Sequence, residues 1–263
     1  MGDGSLFLVA GPDVLESREL ALECARALRE VAERLGVALV YKSSYLKANR
    51  SSVDSYTGPG LEAGLEILAE VKEETGLPVL TDVHAFDEVG PAAEVADVLQ
   101  IPAFLSRQTF LIQAAAGTGR VINLKKGQFL APEDMALAAE KALSAGNDRI
   151  LVTERGTTFG YHNLVVDMRS LGRMRRIGCP VVFDATHSVQ LPSAGEGESG
   201  GEREFVALLA RAAVGAGVDG VFLETHPDPP SAKCDAASQW PLGEFEPLVE
   251  SLLAIHDAGG HRG

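Results

Sequence analysis

Three cysteines, Cys24, Cys179 and Cys234, are all that this chain of 263 residues contains, and no two have the spacing of a metal-binding or redox pair. An odd count argues against a disulfide framework and for free thiols in a reducing compartment. Cys24 falls on the apolar stripe of a helical stretch and Cys179 at the start of a strand-like run, which assigns both to the core. The N-terminus lacks a basic segment leading into an apolar stretch and a small-residue cleavage site, and no apolar run approaches the ~20 residues needed to span a bilayer. A soluble, cytoplasmic chain with no membrane partner is the expectation. Positive charge is in the minority: 23 Lys and Arg against 37 Asp and Glu give a formal charge of -14, which opposes nonspecific attraction to nucleic acid or anionic lipid. Aromatic residues are sparse and form no binding stripe, and the lone Trp240 is assigned to packing the last helix.

What the chain does have is a rhythm. Apolar runs end in charged or amide residues: LFLVAGP near Asp13, VALVYK at Lys42, PVLTD at Asp82, VLQIP with Gln100, VINLK at Lys125, ILVTER with Glu154 and Arg155, VVFDATH at His187 and GVFLETH at Glu224. Each is followed by a helix-like stretch. Eight such units predict an α/β fold, a (β/α)8 TIM barrel, in which the polar strand ends share one mouth. A 263-residue chain that is 46% hydrophobic can bury one such core, so residues 1–263 are expected to form a single domain. A doubly wound open sheet fits the same alternation, but no GxGxxG follows the first run, which places it second. Helices are predicted over Ser17 to Leu35, stopped by Gly36, over Leu61 to Thr75, stopped by Gly76, and over 132–145, 202–216 and 244–257.

Although the chain is acidic, its basic residues gather at the predicted mouth: Lys42, Lys47, Arg50, Lys125, Lys126 and Arg155 all fall at or just after strand ends. Such convergence points to a ligand with more than one anionic group, the alternative being that some of these cations neutralise neighbouring carboxylates. Two connections exceed the ordinary length of a βα loop. The first, Lys42 to Gly60, supplies ammonium groups, the Arg50 guanidinium, the Asn49 amide and the hydroxyls of Ser51 and Ser52, an inventory suited to a phosphorylated polyol. The second, Ser188 to Glu202, is rich in Gly and Ser and is expected to act as a lid.

His187, Glu224 and Asp235 sit on or after the last two strands, and Asp13 ends the first, adjacent to them in a closed barrel. One imidazole and three carboxylates make a divalent-cation set. Beside an anionic substrate these carboxylates repel one another unless a cation or protons intervene. His84 and His226 also follow strand ends and are read as orienting groups. The first run lacks an HxH pair, which disfavours a metal-dependent hydrolase.

The blocks KSSYLKANRSS, DVLQIPAFLSRQT, NLKKGQF, LVTERGTTFGYHNLVVDMRSL, FDATHSVQLP, SGGEREF and ETHPDPPSAKCDAASQWPL resemble the 3-deoxy-D-manno-octulosonate 8-phosphate (KDO 8-phosphate) synthase family. The similarity runs from Leu6 to about Ile255. It implies a homotetrameric barrel that condenses phosphoenolpyruvate with D-arabinose 5-phosphate and water and releases inorganic phosphate, for the inner core of lipopolysaccharide. It further implies that Lys42, Lys47, Gln100, Lys125 and Arg155 bind phosphoenolpyruvate, with Lys125 and Arg155 nearest its phosphate. Asn49, Arg50 and Ser51 would take the pentose phosphate, helped by Arg107 from a neighbouring subunit, and Lys47, His187 and Asp235 form the expected catalytic set. His187, Glu224 and Asp235 match the family's metal positions. After Gly11 and Pro12, metal-using members carry Cys and metal-free members Asn, whereas this chain has Asp13. The expected ion is therefore open among Mn, Mg, Fe and Zn, with a carboxylate favouring the harder ones. The related 3-deoxy-arabino-heptulosonate 7-phosphate synthases use erythrose 4-phosphate; the ANRSS block weighs against that activity. A noncatalytic sugar-phosphate-binding barrel is the remaining alternative.

Overall fold

The computed structural model describes residues 4–50, 52–194 and 199–259. Its eight main strands are β1 (Phe7–Gly11), β2 (Ala38–Lys42), β3 (Val79–Asp82), β4 (Val98–Ile101), β5 (Val121–Lys125), β6 (Ile150–Glu154), β7 (Val181–Asp184) and β8 (Gly220–His226). Each pairs in parallel with the next, and β8 pairs back onto β1 through Phe7 to Gly11 against Gly220 to Glu224. That closure excludes the open-sheet alternative and establishes the predicted (β/α)8 barrel.

Period-two alternation divides the core into two shells. Phe7, Val9, Val40, Leu80, Val98, Leu151, Val182 and Phe222 fill the barrel interior. Their neighbours Leu8, Leu39, Leu99, Ile122, Val152, Val181 and Val221 face outward under the helices. Gly220 is required by this packing, since a Cβ there would lie 2.6 Å from the Phe7 ring.

The helices are α1 (Arg18–Leu35), α2 (Leu61–Thr75), α3 (Val89–Val95), α4 (Thr109–Gly117), α5 (Met135–Ser144), α6 (Arg169–Arg175), α7 (Val206–Gly215) and α8 (Phe245–Gly259). Ser17 caps α1 by accepting from the Leu20 amide at 3.2 Å, and Gly36 ends it in the left-handed conformation at φ 65°. Cys24 is buried on α1 as predicted, and Cys179 is half-buried ahead of β7. No helix of the described residues is long and apolar enough to cross a membrane.

Two small hairpins sit beyond the strand ends: Thr157–Thr158 with Leu164–Val165, and Gln190–Leu191 with Gly200–Gly201. The second lies within the expected lid, whose residues 195–198 are outside the described residues. Trp240 extends the sheet by pairing beside Thr225 of β8, and its indole N–H donates to the Glu244 carbonyl at the approach to α8.

Candidate functional site

Gly11 decides how the site begins. A Cβ at this position would overlap the carbonyl of Lys42, so glycine lets the ends of β1 and β2 close together and brings Asp13 beside Lys42. Lys42 Nζ donates to the Asp13 carbonyl at 2.9 Å and to Glu224 Oε1 at 2.7 Å, and lies 3.4 Å from Asp13 Oδ1. Lys47 pairs with the same Asp13 oxygen. Asp13, Lys42 and Glu224 are essentially without solvent contact, a position ionised groups hold only when paired. Burial opposes the Asp13 charge, yet Lys47 and Lys42 prevail and hold its carboxyl well below the usual range. Burial and the Asp13 charge push Glu224 well above it. Burial and Asp13 likewise raise Asp235. Burial thus works against the charges of Glu224 and Asp235, while the two lysines secure that of Asp13.

His187 completes this group. Its Nδ1 lies 2.7 Å from Asp184 Oδ2, which turns Nε2 to 3.6 Å from Glu224 and 3.7 Å from Asp235. Burial, helped by the charges of Lys125 and Arg155, depresses the imidazolium against the pull of Asp184, favouring a neutral ring. Potential ligand atoms of Asp13, His187, Glu224 and Asp235 all lie within 4.8 Å of one another. Among the described residues, Asp13 Oδ2 and Glu224 Oε2 are buried without a hydrogen-bond donor, the condition a cation would relieve. One imidazole and three carboxylates therefore fit a divalent ion, with a donor set suited to the harder ones.

Two cations, Lys125 and Arg155, also act on His187. Lys125 pairs with Asp184 and stands 3.4 Å from the centroid of the Phe222 ring. Burial, only partly offset by Asp184, lowers its pKa to about 8. Arg155 donates through Nη2 to Gln190 Oε1 at 2.7 Å, while its buried Nη1 has no hydrogen-bond partner among the described residues. An open guanidinium donor beside a buried ammonium is a ready anion site.

Gln100 meets the lysine cluster through Asp82, whose carboxyl Lys42 and Lys47 hold below its ordinary range against burial. Its amide donates to Asp82 at 2.7 Å and accepts from Asn123 at 2.8 Å, and Asn123 in turn accepts from Thr153 at 2.6 Å. Ser44 completes the Asp82 end with a bond of 2.9 Å. This is a buried side-chain ladder across β3 to β6. Arg50 is half-buried and touches Cys234 Sγ and the Lys233 carbonyl. Asn49 and Arg107 are exposed, and the Arg107 carbonyl accepts from Lys141. Ser51 lies outside the described residues.

One member of the predicted basic cluster is corrected. Lys126 does not line the mouth: its ammonium donates to the carbonyls of Gly127, Leu130 and Gly156 and to Thr157 Oγ1, and lies 3.5 Å from Glu154. It ties the loops after β5 and β6 together. The orienting role read for the two other histidines has partners: His84 Nδ1 lies 3.3 Å from Glu88, and His226 Nε2 lies 3.5 Å from Glu16.

Sequence reading placed Asp82 at the mouth without a role and missed Asp184, Gln190 and Gln239. Asp184 was accessible from alternation, because it follows Val182 by two and Val182 faces the barrel interior. Gln239 supplies Oε1 to the Asp13 amide at 3.3 Å from 226 residues away, and Gln190 reaches Arg155 from a loop; neither carries a local signal.

A parallel barrel whose strand ends bring buried lysines, carboxylates and a histidine beside an open guanidinium defines an enzyme of the TIM-barrel class that acts on small anionic molecules. The chain belongs to the DAHP synthetase I family, whose model matches residues 1–256. Within that family it is similar to proteins named 2-dehydro-3-deoxyphosphooctonate aldolase. It is 60% identical to that of Nitratidesulfovibrio vulgaris strain DP4, over 95% of this chain and 91% of the relative. It is 60% identical to that of Methylococcus capsulatus, over 95% and 88%, and 58% identical to that of Syntrophotalea carbinolica, over 97% and 92%.

Proposed function

We propose that this enzyme is a KDO 8-phosphate synthase, joining phosphoenolpyruvate to D-arabinose 5-phosphate with addition of water and release of inorganic phosphate. The observation that carries the reading is the placement of Lys125 and the open Nη1 of Arg155 beside the Lys47, Asp13, His187, Glu224 and Asp235 cluster. One side suits a phosphate and the other suits the reacting carbon atoms.

Phosphoenolpyruvate is a masked enol, so its C3 can attack the aldehyde carbon once the two are held together. Lys47 donates a proton to the oxygen that becomes an alkoxide. The electron deficiency left at C2 is stabilised by the Asp13 charge, and water adds there, giving up its proton to neutral His187. The hemiketal phosphate then breaks its C2–O bond; the hydroxyl at C2 becomes the ketone and its proton leaves with inorganic phosphate. Lys42 assists by holding Asp13 and Glu224 in place. Asp13, His187, Glu224 and Asp235 would hold a divalent cation, which supplies Lewis-acid stabilisation of a reacting oxygen when bound.

The pentose phosphate is assigned to Asn49, Arg50 and Ser51 with Arg107 of a neighbouring copy, within a homotetramer. Exposed Phe104, Phe110, Phe129 and Leu137 on the segments after β4 and β5 support association on the side that carries Arg107. The reading places the enzyme in the cytoplasm, where its small phosphorylated substrates are. Measuring phosphate release with arabinose 5-phosphate and with erythrose 4-phosphate tests the activity: preference for the pentose supports it, preference for the tetrose replaces it with the heptulosonate reaction, and binding without release leaves only a sugar-phosphate-binding barrel.

A further inference from the structure

We infer that Gln190 is a positioning residue, setting the guanidinium of Arg155 and the carboxylate of Asp235 in fixed relation through the two ends of a single amide. The inference rests on the reading of Arg155 as a phosphate ligand. Gln190 is buried at the start of the hairpin formed with Gly200–Gly201. Its Oε1 accepts from Arg155 Nη2 at 2.7 Å, and its Nε2 donates to Asp235 Oδ2.

The chemistry of this bridge is narrow. A guanidinium only donates and an ionised carboxylate only accepts, so a group joining them must accept at one end and donate at the other. A side-chain amide does so without charge. Glutamate would present acceptors to both neighbours and repel Asp235, and methionine would fill the space while bonding to neither.

Each end has a consequence. With Nη2 engaged by Gln190, the remaining Nη1 of Arg155 is buried and unpaired among the described residues, which leaves a defined donor for the phosphate. At the other end Asp235 has a backbone φ of 49°, a left-handed conformation that a residue with a side chain keeps only when its surroundings hold it. Its carbonyl accepts from the amides of Ser238 and Gln239, at 2.9 and 3.0 Å. The hairpin and the turn after it grip this same loop twice more: Gly201 packs so that a Cβ would stand 3.1 Å from Ala237 backbone atoms, and Arg203 donates to the Ala236 carbonyl. Gln190 thus ties the position of the Asp235 carboxylate to that of the phosphate-binding arginine.

The test compares wild type with Gln190→Met and Gln190→Glu, using phosphate release from phosphoenolpyruvate and arabinose 5-phosphate together with calorimetric titration of inorganic phosphate. The Met variant should keep its thermal midpoint within a few degrees, lose about tenfold in kcat, raise KM for phosphoenolpyruvate and bind phosphate several-fold more weakly. The Glu variant should lose more in kcat, because it adds a carboxylate against Asp235, and should raise KM further by neutralising Arg155. Both variants within about twofold of wild type in kcat, KM and phosphate affinity would overturn the inference, as would a loss of stability with kinetics intact. Should the Met variant fail to fold, Gln190→Asn takes its place, with wild-type kinetics again the contrary result. If wild type releases no phosphate, the synthase reading fails by itself, and phosphate affinity across the variants still decides the role of Gln190 at Arg155.

Discussion

Lys42 Nζ lies 2.7 Å from Glu224 Oε1, joining β2 to β8 across the intervening β1. Because Lys42 also reaches Asp13, its single positive charge serves two buried carboxyls. Removing one partner of a buried ion pair is far more disruptive than exchanging the whole pair for apolar residues. Lys42→Met should therefore destabilise the fold by about 3–5 kcal/mol, read by urea unfolding in chelator. Added divalent ion should restore part of that loss, since a cation replaces the missing charge. An unchanged unfolding midpoint would show that the carboxyls simply take up protons.

Lys125 gives a pH prediction whose sign is determined. Burial lowers its pKa to about 8, so the free enzyme holds the ammonium below that pH and loses it above. Affinity for the phosphate of phosphoenolpyruvate should accordingly decline on the alkaline side of about pH 8, appearing as a falling limb in kcat/KM. Lys125→Arg, which stays charged, should move that limb upward even where its geometry costs activity. A limb that stays in place in the Arg variant would assign it to another group.

Asp13 is best tested by exchange. Wild type should lose activity in chelator and regain it with Mn or Mg, whereas Asp13→Asn should lose the metal rescue and Asp13→Cys should shift preference toward Zn or Fe. A second readout is proton release. Burial raises Glu224 and Asp235, so a cation competes with protons in the cluster and should bind more tightly as pH rises. Calorimetry of metal binding in buffers of different ionisation enthalpy should show net proton release that grows as pH falls. Buffer-independent heats would contradict that arrangement.

The barrel was legible because each run of β-branched residues announced a strand and its polar terminus announced the mouth. Helix α2 could be bounded to the residue and α1 to within one, Gly36 and Gly76 being local chemical signals, while Ser17 proved to be the cap of α1 and not its first residue. α3, α4 and α6 are only 7 to 9 residues long and were not delimited; such short helices depend on packing more than on sequence pattern. The metal-type cluster was foreseeable once barrel closure was assumed, since only closure makes Asp13 a neighbour of Glu224. The partners that tune it were not. Whether Lys126 faces a ligand or four backbone and hydroxyl oxygens depends on how two loops fold, and the sequence at Lys125 and Lys126 is the same residue twice.

The ladder of Asp82, Gln100, Asn123 and Thr153 has a bearing on how this barrel can change over time. Sliding any of those strands by one position would turn its polar member toward the helices and strand the others' hydrogen-bonding groups in an apolar interior. The alignment of four strands beneath the mouth is thereby pinned by mutual dependence, so lasting substitutions there should arise as matched sets, with single replacements paying in stability before any gain in chemistry can be selected.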